Sequence, residues 1–351
     1  MGNGDGRRCN VEADANHVVL NTHSTNRLPH FFSRLTQSTM AKLLCWLLLF
    51  PTTTTFAWTI NRREAIQQGA AATGLLSLVP FAGAAAEKPV LVLGANGGTG
   101  QACVQVLQSI NRPCIAATRS GTLNYEAPGV TTAAVDVSSV PDLQRAISSD
   151  VGAVIFAASV GTKGGDAFAV DRDGVIETAK ACIAAQVPRL VVVSSGTVTR
   201  PDSGVYKLLN TLGKGIMEAK IQGEDQVRDL YSNPAVLSKN LGYTIIRPGG
   251  LTTGPGVGVA NLELNQGDAK SGRLDRMDVA SLCVQSLYSS AAFDTTFECY
   301  EKSTAKPIEA VGLSNILKSR DATAFMTGKE RQGSTWDEIF TGLERDPGHT
   351  A

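Results

Sequence analysis

The residues best suited to chemistry lie in one short stretch. Gly94-Ala95-Asn96-Gly97-Gly98-Thr99-Gly100 follows an apolar run that opens at Pro89, and its spacing is G-x-x-G-x-x-G. A strand over 89–94 running into a helix near 99–109 gives each glycine a task. Gly94 permits the sharp turn off the strand, Gly97 lets backbone approach a diphosphate, and Gly100 lets the helix pack close to the sheet. The helix start offers free N–H groups and partial positive charge to phosphates. The strand before and the helix after separate this loop from an ordinary glycine-rich turn, and dinucleotide recognition is the chemistry expected of it.

A site preferring NAD(H) would carry Asp or Glu about 20 residues further on. Arg119 stands there, at the end of ATRS. A guanidinium suits a 2′-phosphate, which favours NADP(H) over NAD(H); the alternative is a solvated surface arginine. Asp136 ends a third strand, where it could accept from an adenine amino group. The following SSVPD offers a helix-cap role instead.

The elements that must hold these groups alternate. Strands are expected at 89–94, 114–118, 131–137, 153–158, 189–195 and 243–248, and helices near 99–109, 140–148, 171–186 and 213–231. A helix over 276–289 and a strand over 296–301 complete the sheet, and Trp336–Glu344 reads as a packing helix. Near-continuous apolar strands imply a sheet covered on both faces, and the βα alternation implies an α/β doubly wound parallel sheet of Rossmann type. The domain is placed at 88–305, with a tail over 306–351. The loops at 251–272 carry no readable element, and Asp275, Arg276 and Asp278 read as caps of the following helix.

Composition narrows the function classes. A formal net charge of zero gives no basic stripe for nucleic acid. Seven scattered cysteines without C-x-x-C, and four histidines all outside 88–305, argue against a disulfide framework or a zinc site. The cysteines from Cys103 to Cys299 read as small core side chains. Residues 1–39 are polar and without period, and read as an extension ahead of the true start at Met40, or as a genuine unstructured terminus. Residues 40–87 read as a targeting region. Lys42 precedes eight apolar residues, Leu43–Phe50, too few for a bilayer span of about 20. Arg62-Arg63 then precedes an Ala- and Gly-rich stretch ending near Ala86, the plan of a twin-arginine signal. The destination expected is a plastid, stroma or thylakoid lumen, and no stable membrane span is expected in the mature domain.

The segments VLVLGANGGTG, AVDV, VDRDGVIETAKACIAAQVPRLVVVSS, AKIQGEDQVR, GYTIIRPGGL and GRLDRMDVA resemble the NmrA-like group of atypical short-chain dehydrogenase/reductases, which has plant plastid members. The resemblance implies further contacts: Asn96, Gly98 and Thr99 would complete the wrap of the diphosphate begun by Gly94, Gly97 and Gly100. Ala157, Ala158 and Ser159 would border the ribose and nicotinamide, and Ser194 and Ser195 would end the fifth strand beside the nicotinamide. Lys220 would reach the nicotinamide ribose, and Pro248 and Gly249 would border the same end. The wider superfamily works through Tyr-x-x-x-Lys, in which lysine lowers the tyrosine pKa. Here Lys220 is in place, but Ile216 stands where the tyrosine belongs, and Tyr206 lies fourteen residues before Lys220. Lys220 and Ser195 remain as the catalytic candidates. Two functions follow: an NADPH-dependent reductase of a quinone-, flavin-, tetrapyrrole- or enone-like acceptor, or a non-catalytic NADP(H)-binding sensor, scaffold or assembly factor with a protein partner.

Overall fold

A computed structural model describes residues 87–160, 164–308 and 327–349. The extension 1–39 and nearly all of the targeting region 40–87 lie outside the described residues. The strands are β1 (Val90–Leu93), β2 (Cys114–Thr118), β3 (Thr131–Ala134), β4 (Ala153–Phe156), β5 (Arg189–Val193), β6 (Gly242–Pro248), β7 (Gly250–Thr252), β8 (Leu262–Asn265), β9 (Lys270–Ser271), β10 (Arg273–Asp275), β11 (Thr295–Glu301) and β12 (Lys306–Pro307). The helices are α1 (Gly98–Ser109), α2 (Val140–Ala146), α3 (Gly174–Ala184), α4 (Gly204–Leu212), α5 (Ile216–Tyr231), α6 (Pro234–Leu237), α7 (Arg276–Ser286) and α8 (Trp336–Phe340). A π-helical turn, Phe168–Asp173, leads into α3.

Eight strands form the main sheet in the order β3-β2-β1-β4-β5-β6-β11-β8. Every pairing is parallel except β11 with β8, so this is the expected doubly wound α/β sheet with one reversed edge. Strand order reverses between β1 and β4. The crevice beyond their carboxyl ends is where such sheets bind ligands.

All four residues of β1 are fully buried because the pleat sends them to two cores. Val90 and Val92 join Cys103, Val104 and Leu107 of α1 and Val279, Cys283 and Val284 of α7. Leu91 and Leu93 join Val175, Ala179 and Cys182 of α3 and Val227 and Tyr231 of α5. Burial of each such aliphatic side chain stabilises the fold by about 1.5–3 kcal/mol. A polar residue anywhere in β1 would therefore damage one face or the other, and the phosphate loop hangs from this strand. The five cysteines from Cys103 to Cys299 are buried and unpaired, as small core residues.

Two elements differ from expectation. The helix expected over 213–231 is α5, starting at Ile216, and a further helix, α4, precedes it where none was expected, the two divided at Gly213–Gly215. Gly215 has φ +93°, a left-handed conformation that costs glycine little and breaks helix propagation. Asn210 at the end of α4 then caps α5, its Oδ1 accepting from Met217 N and Glu218 N at 3.0 and 3.2 Å. Within 251–272, expected to hold no element, Leu262 and Leu264 bury themselves in β8 beside β11. The C-terminal residues pack on this edge. Arg331 bridges Leu264, α8 opens on a Thr335–Glu338 capping box, and Ile339 and Phe340 enter the core.

Candidate functional site

The loop after β1 turns at Gly94, with φ +83°, and Gly97 N donates back to Gly94 O at 2.9 Å. A Cβ on Gly94 would lie 2.6 Å from the Ala158 backbone, and one on Gly100 would lie 2.2 Å from Gly94 O. The ends of β1 and β4 and the first turn of α1 thus touch through hydrogen atoms only. Gly97 and Gly98 are exposed, whereas Thr99 and Gly100 are buried. Gly97 is the α1 N-cap without a capping side chain, and the first turn carries no acidic residue. An exposed glycine bend feeding an uncapped helix start is a cradle that a diphosphate fits, because among the described residues the N–H groups of Gly98, Thr99 and Gly100 meet no acceptor. A dinucleotide lying there would supply a hydride-carrying nicotinamide at the ends of β4 and β5.

Asn96 is engaged elsewhere in this loop. Its Nδ2 donates to Thr122 O at 2.9 Å and its Oδ1 accepts from Asn124 N at 3.0 Å. Tyr125 adds a bond to Ala95 O at 3.1 Å. The segment after β2 is therefore laced to the phosphate loop, and that segment carries Arg119. Arg119 is exposed and forms no ion pair or hydrogen bond among the described residues. Asp136 faces the same region from the end of β3. Its Oδ1 accepts from Ser138 N at 3.0 Å and Ser138 Oγ at 2.7 Å. These bonds, and then the nearby Arg119 guanidinium, hold its carboxyl below the usual range. The cap of α2 is Ser139, so Asp136 shapes the turn ahead of the helix without capping it.

Ala157, Ala158 and Ser159 follow β4 across the crevice from the phosphate loop; the first two are half-buried and Ser159 is exposed. Ser194 and Ser195 follow β5. Ser195 is half-buried and Ser194 is buried, its Oγ donating to Glu224 Oε1 at 2.5 Å. Glu224, from α5, also accepts from Arg247 Nη2 at 2.6 Å and from Arg228. Arg247 continues to Glu298 at 3.1 Å, and Asp268 N donates to Glu298 at 2.9 Å. The Asp268 carboxylate accepts from Thr197 N at 2.7 Å and holds that β-branched residue at φ +69°. A buried ionic chain thus fixes the turn after Ser194-Ser195. Burial pushes the Glu224 carboxyl up, but Arg247, Arg228 and Ser194 together bring it below its ordinary range. Pro248 and Gly249 end β6 beside this turn, and Gly196 N donates to Pro248 O at 2.9 Å.

Lys220 projects from α5 and pairs with Asp171 at 2.8 Å; its side chain is 11% exposed and that of Asp171 is fully buried. The helical neighbour Glu224 is not its partner. Asp171 comes from the π-helical turn before α3, and its Oδ2 accepts from Val160 N at 3.1 Å. Lys220, Asp171, Ser194 and Glu224 line one small cavity with Val175 and Val192. Lys220 is therefore brought to the Ser194 end of β5.

Ile216 lies buried with Ala167, Val198 and Met217, so the position of the missing tyrosine is filled by packing. Tyr206 on α4 packs on the same cluster. Burial and the Glu218 carboxylate raise its phenol pKa, the reverse of what an activating lysine would do. Glu218 and Lys220 are two residues apart, about 200° round the helix, so Tyr206 approaches the wrong face of α5 to serve Lys220. Of the expected caps before α7, Asp275 caps and Asp278 accepts from Val257 N and Gly258 N. Arg276 does neither. Its Cδ and Nε lie 2.8 Å from where a Gly98 Cβ would stand. Asp171, Glu224, Arg247 and Arg276 were not singled out for the site by sequence. All four sit inside the family-like segments, which is the signal the sequence offers for them.

A family model described as NAD(P)H-binding matches residues 94–290, from the first glycine of the loop to beyond α7. The chain belongs to the NAD(P)H-binding family. Among curated relatives, this NAD(P)H-binding chain is 32% identical over 208 residues to UPF0659 protein YMR090W of Saccharomyces cerevisiae, covering 56% of this chain and 86% of that protein. It is 30% identical over 244 residues to the chloroplastic protein At2g34460 of Arabidopsis thaliana, covering 66% and 79%. The crystal structure of the oxidoreductase ylbE from Lactococcus lactis superposes with a TM-score of 0.51 at 21% identity, covering 62% of this chain and 92% of that one. That likeness is one of fold. Among the described residues there is no group of His, Cys, Asp and Glu able to hold a metal ion, and no helix long and apolar enough to cross a membrane.

Proposed function

We propose that the protein binds NADP(H) in preference to NAD(H) and reduces a small quinone-, flavin-, tetrapyrrole- or enone-like acceptor. One observation carries the proposal: an exposed glycine bend and uncapped helix start stand across the crevice from the Lys220–Ser195 end of β5. The chain's residues divide the work. The Gly94–Gly100 backbone holds the diphosphate. Arg119, exposed and forming no ion pair among the described residues, takes the 2′-phosphate, with Asp136 at the adenine. Ala157, Ala158, Pro248 and Gly249 border the nicotinamide end. Lys220, fixed by buried Asp171, donates to the nicotinamide ribose, and Ser195 lies beside the acceptor. With Ile216 in the tyrosine position, no phenol protonates the product. Acceptors that take their proton from water fit this site, and carbonyl substrates of the Tyr-x-x-x-Lys type do not. The chloroplastic relatives, together with the twin-arginine-like segment, support a plastid location.

A second reading is a non-catalytic NADP(H)-binding scaffold or redox sensor, and the packed Ile216 favours it. The test is NADPH oxidation against a panel of quinones, flavins and enones, with Gly97→Leu as control. Acceptor-dependent turnover lost in Gly97→Leu supports the reductase. Tight NADPH binding without turnover supports the scaffold. Arg119→Ala should weaken NADPH at least tenfold more than NADH, and equal losses would remove the 2′-phosphate role.

A further inference from the structure

Arg276 opens α7, yet its side chain leaves that helix and crosses to the start of α1. Its Cδ and Nε pass so close to Gly98 that a methyl there would sit 2.8 Å from both. A side chain at Gly98 would push this arginine from its place over the helix start. Nη1 donates to Thr252 O and Thr253 Oγ1, each at 2.9 Å. Both acceptors are neutral. Among the described residues Arg276 forms no ion pair, and its Nε and Nη2 meet no acceptor. The nearest carboxylates are committed elsewhere, Asp275 to Met277 N and Asp278 to Val257 N and Gly258 N.

A half-buried cation thus stands at the start of α1, whose first turn carries partial positive charge and no acidic residue, whereas the start of α7 has its own carboxylates in Asp275 and Asp278. An anion in the gap would answer both the α1 helix start and the guanidinium. The edge left without a partner, Nε with Nη2, is the fork that accepts two oxygens of a phosphate at once.

We propose that Arg276 is the second jaw of the diphosphate site. The Gly97–Gly100 backbone grips the bridge from one side and the Nε–Nη2 fork grips it from the other. Through Nη1 the same guanidinium holds Thr252 and Thr253, so the segment after β6 is tied to the bound dinucleotide. The proposal rests on the dinucleotide reading of the loop and extends it to a residue outside the glycine motif.

The test is calorimetric titration of the full chain with NADPH and with NADH, for wild type, Arg276→Gln, Arg276→Lys and Arg119→Ala, at several salt concentrations. Arg276→Gln should weaken both dinucleotides by the same factor, about tenfold to a hundredfold. It should also flatten the dependence of log Kd on log salt, because one charge contact is gone. Arg276→Lys keeps the charge without the fork and should lose about threefold to thirtyfold. Arg119→Ala should weaken NADPH alone. Unchanged affinity in Arg276→Gln, or a loss with the wild-type salt slope, would overturn the proposal. Arg276→Lys with wild-type affinity would overturn it too, even if Arg276→Gln fails to fold. If wild type itself binds neither dinucleotide, the underlying reading of the loop fails, an outcome distinct from a failure of Arg276.

Discussion

Glu224→Gln probes the buried chain that fixes the turn after Ser194. Glu224 is 1% exposed, and its carboxylate takes Arg247, Arg228 and Ser194 together. The substitution keeps the shape but removes the charge. Arg247, itself buried, would keep Glu298 as its one carboxylate partner. Removing one member of a buried pair costs about 3–5 kcal/mol, because the remaining charge stays desolvated. That is a large part of a total stability of about 5–15 kcal/mol. At about 2–4 °C per kcal/mol for a domain of this size, the melting midpoint should fall by about 6–20 °C. Saturating NADPH, at a hundred times its Kd, should restore about 2.7 kcal/mol if the folded site is what binds it. Thermal melts with and without NADPH read both effects. Adding Arg247→Met should cost less than the sum of the two single changes, since it removes the stranded cation. A shift of less than about 2 °C in Glu224→Gln would refute the claim that this chain is a fully desolvated network.

Lys220→Met should strand the buried Asp171 carboxylate and destabilise the fold by about 3–5 kcal/mol, and Asp171→Asn in the same chain should recover most of it. Denaturant unfolding checks this, and a double variant no more stable than Lys220→Met would contradict the pairing. Glu330 gives a pH dependence. Burial pushes its carboxyl up, but bonds from the Thr327 backbone and the Lys270 ammonium outweigh that and bring it from 4.5 down to about 2. Its folded pKa is therefore depressed, so its contribution is present above pH 4.5 and is lost as pH falls toward about 2. Unfolding of wild type and Glu330→Gln between pH 5 and 2 should show the difference between them shrinking across that window, and a constant difference would argue against it.

Sequence was most informative where structure is local. Each strand from β1 to β6 lies within a few residues of its expected place, because short apolar runs between turn residues mark buried parallel strands. The glycine loop could be read because every residue of it is consecutive. Expectation and structure part where partners are distant in the chain. β8 is four residues long and pairs with a strand some thirty residues later, so its LELN pattern carries no signal of its own. Lys220 had an obvious partner one helical turn away in Glu224, but Glu224 is claimed by Arg247, and Lys220 turns to Asp171 from a π-helical turn. Arg276 looked like part of a helix cap because Asp275 and Asp278 flank it. Only the packing of α7 against α1 brings it over Gly98.

The most direct measurement is calorimetric titration of the purified chain with NADPH, beside Gly97→Leu. Gly97 has φ −75°, which any residue adopts, but a Cβ there would lie 3.2 Å from Gly94 O, so leucine must press on the phosphate turn itself. One binding site in wild type, with affinity lost by at least a hundredfold in a Gly97→Leu protein that melts normally, is the expected result. Wild-type protein that binds neither NADPH nor NADH, or Gly97→Leu protein that binds as tightly as wild type, would contradict the account.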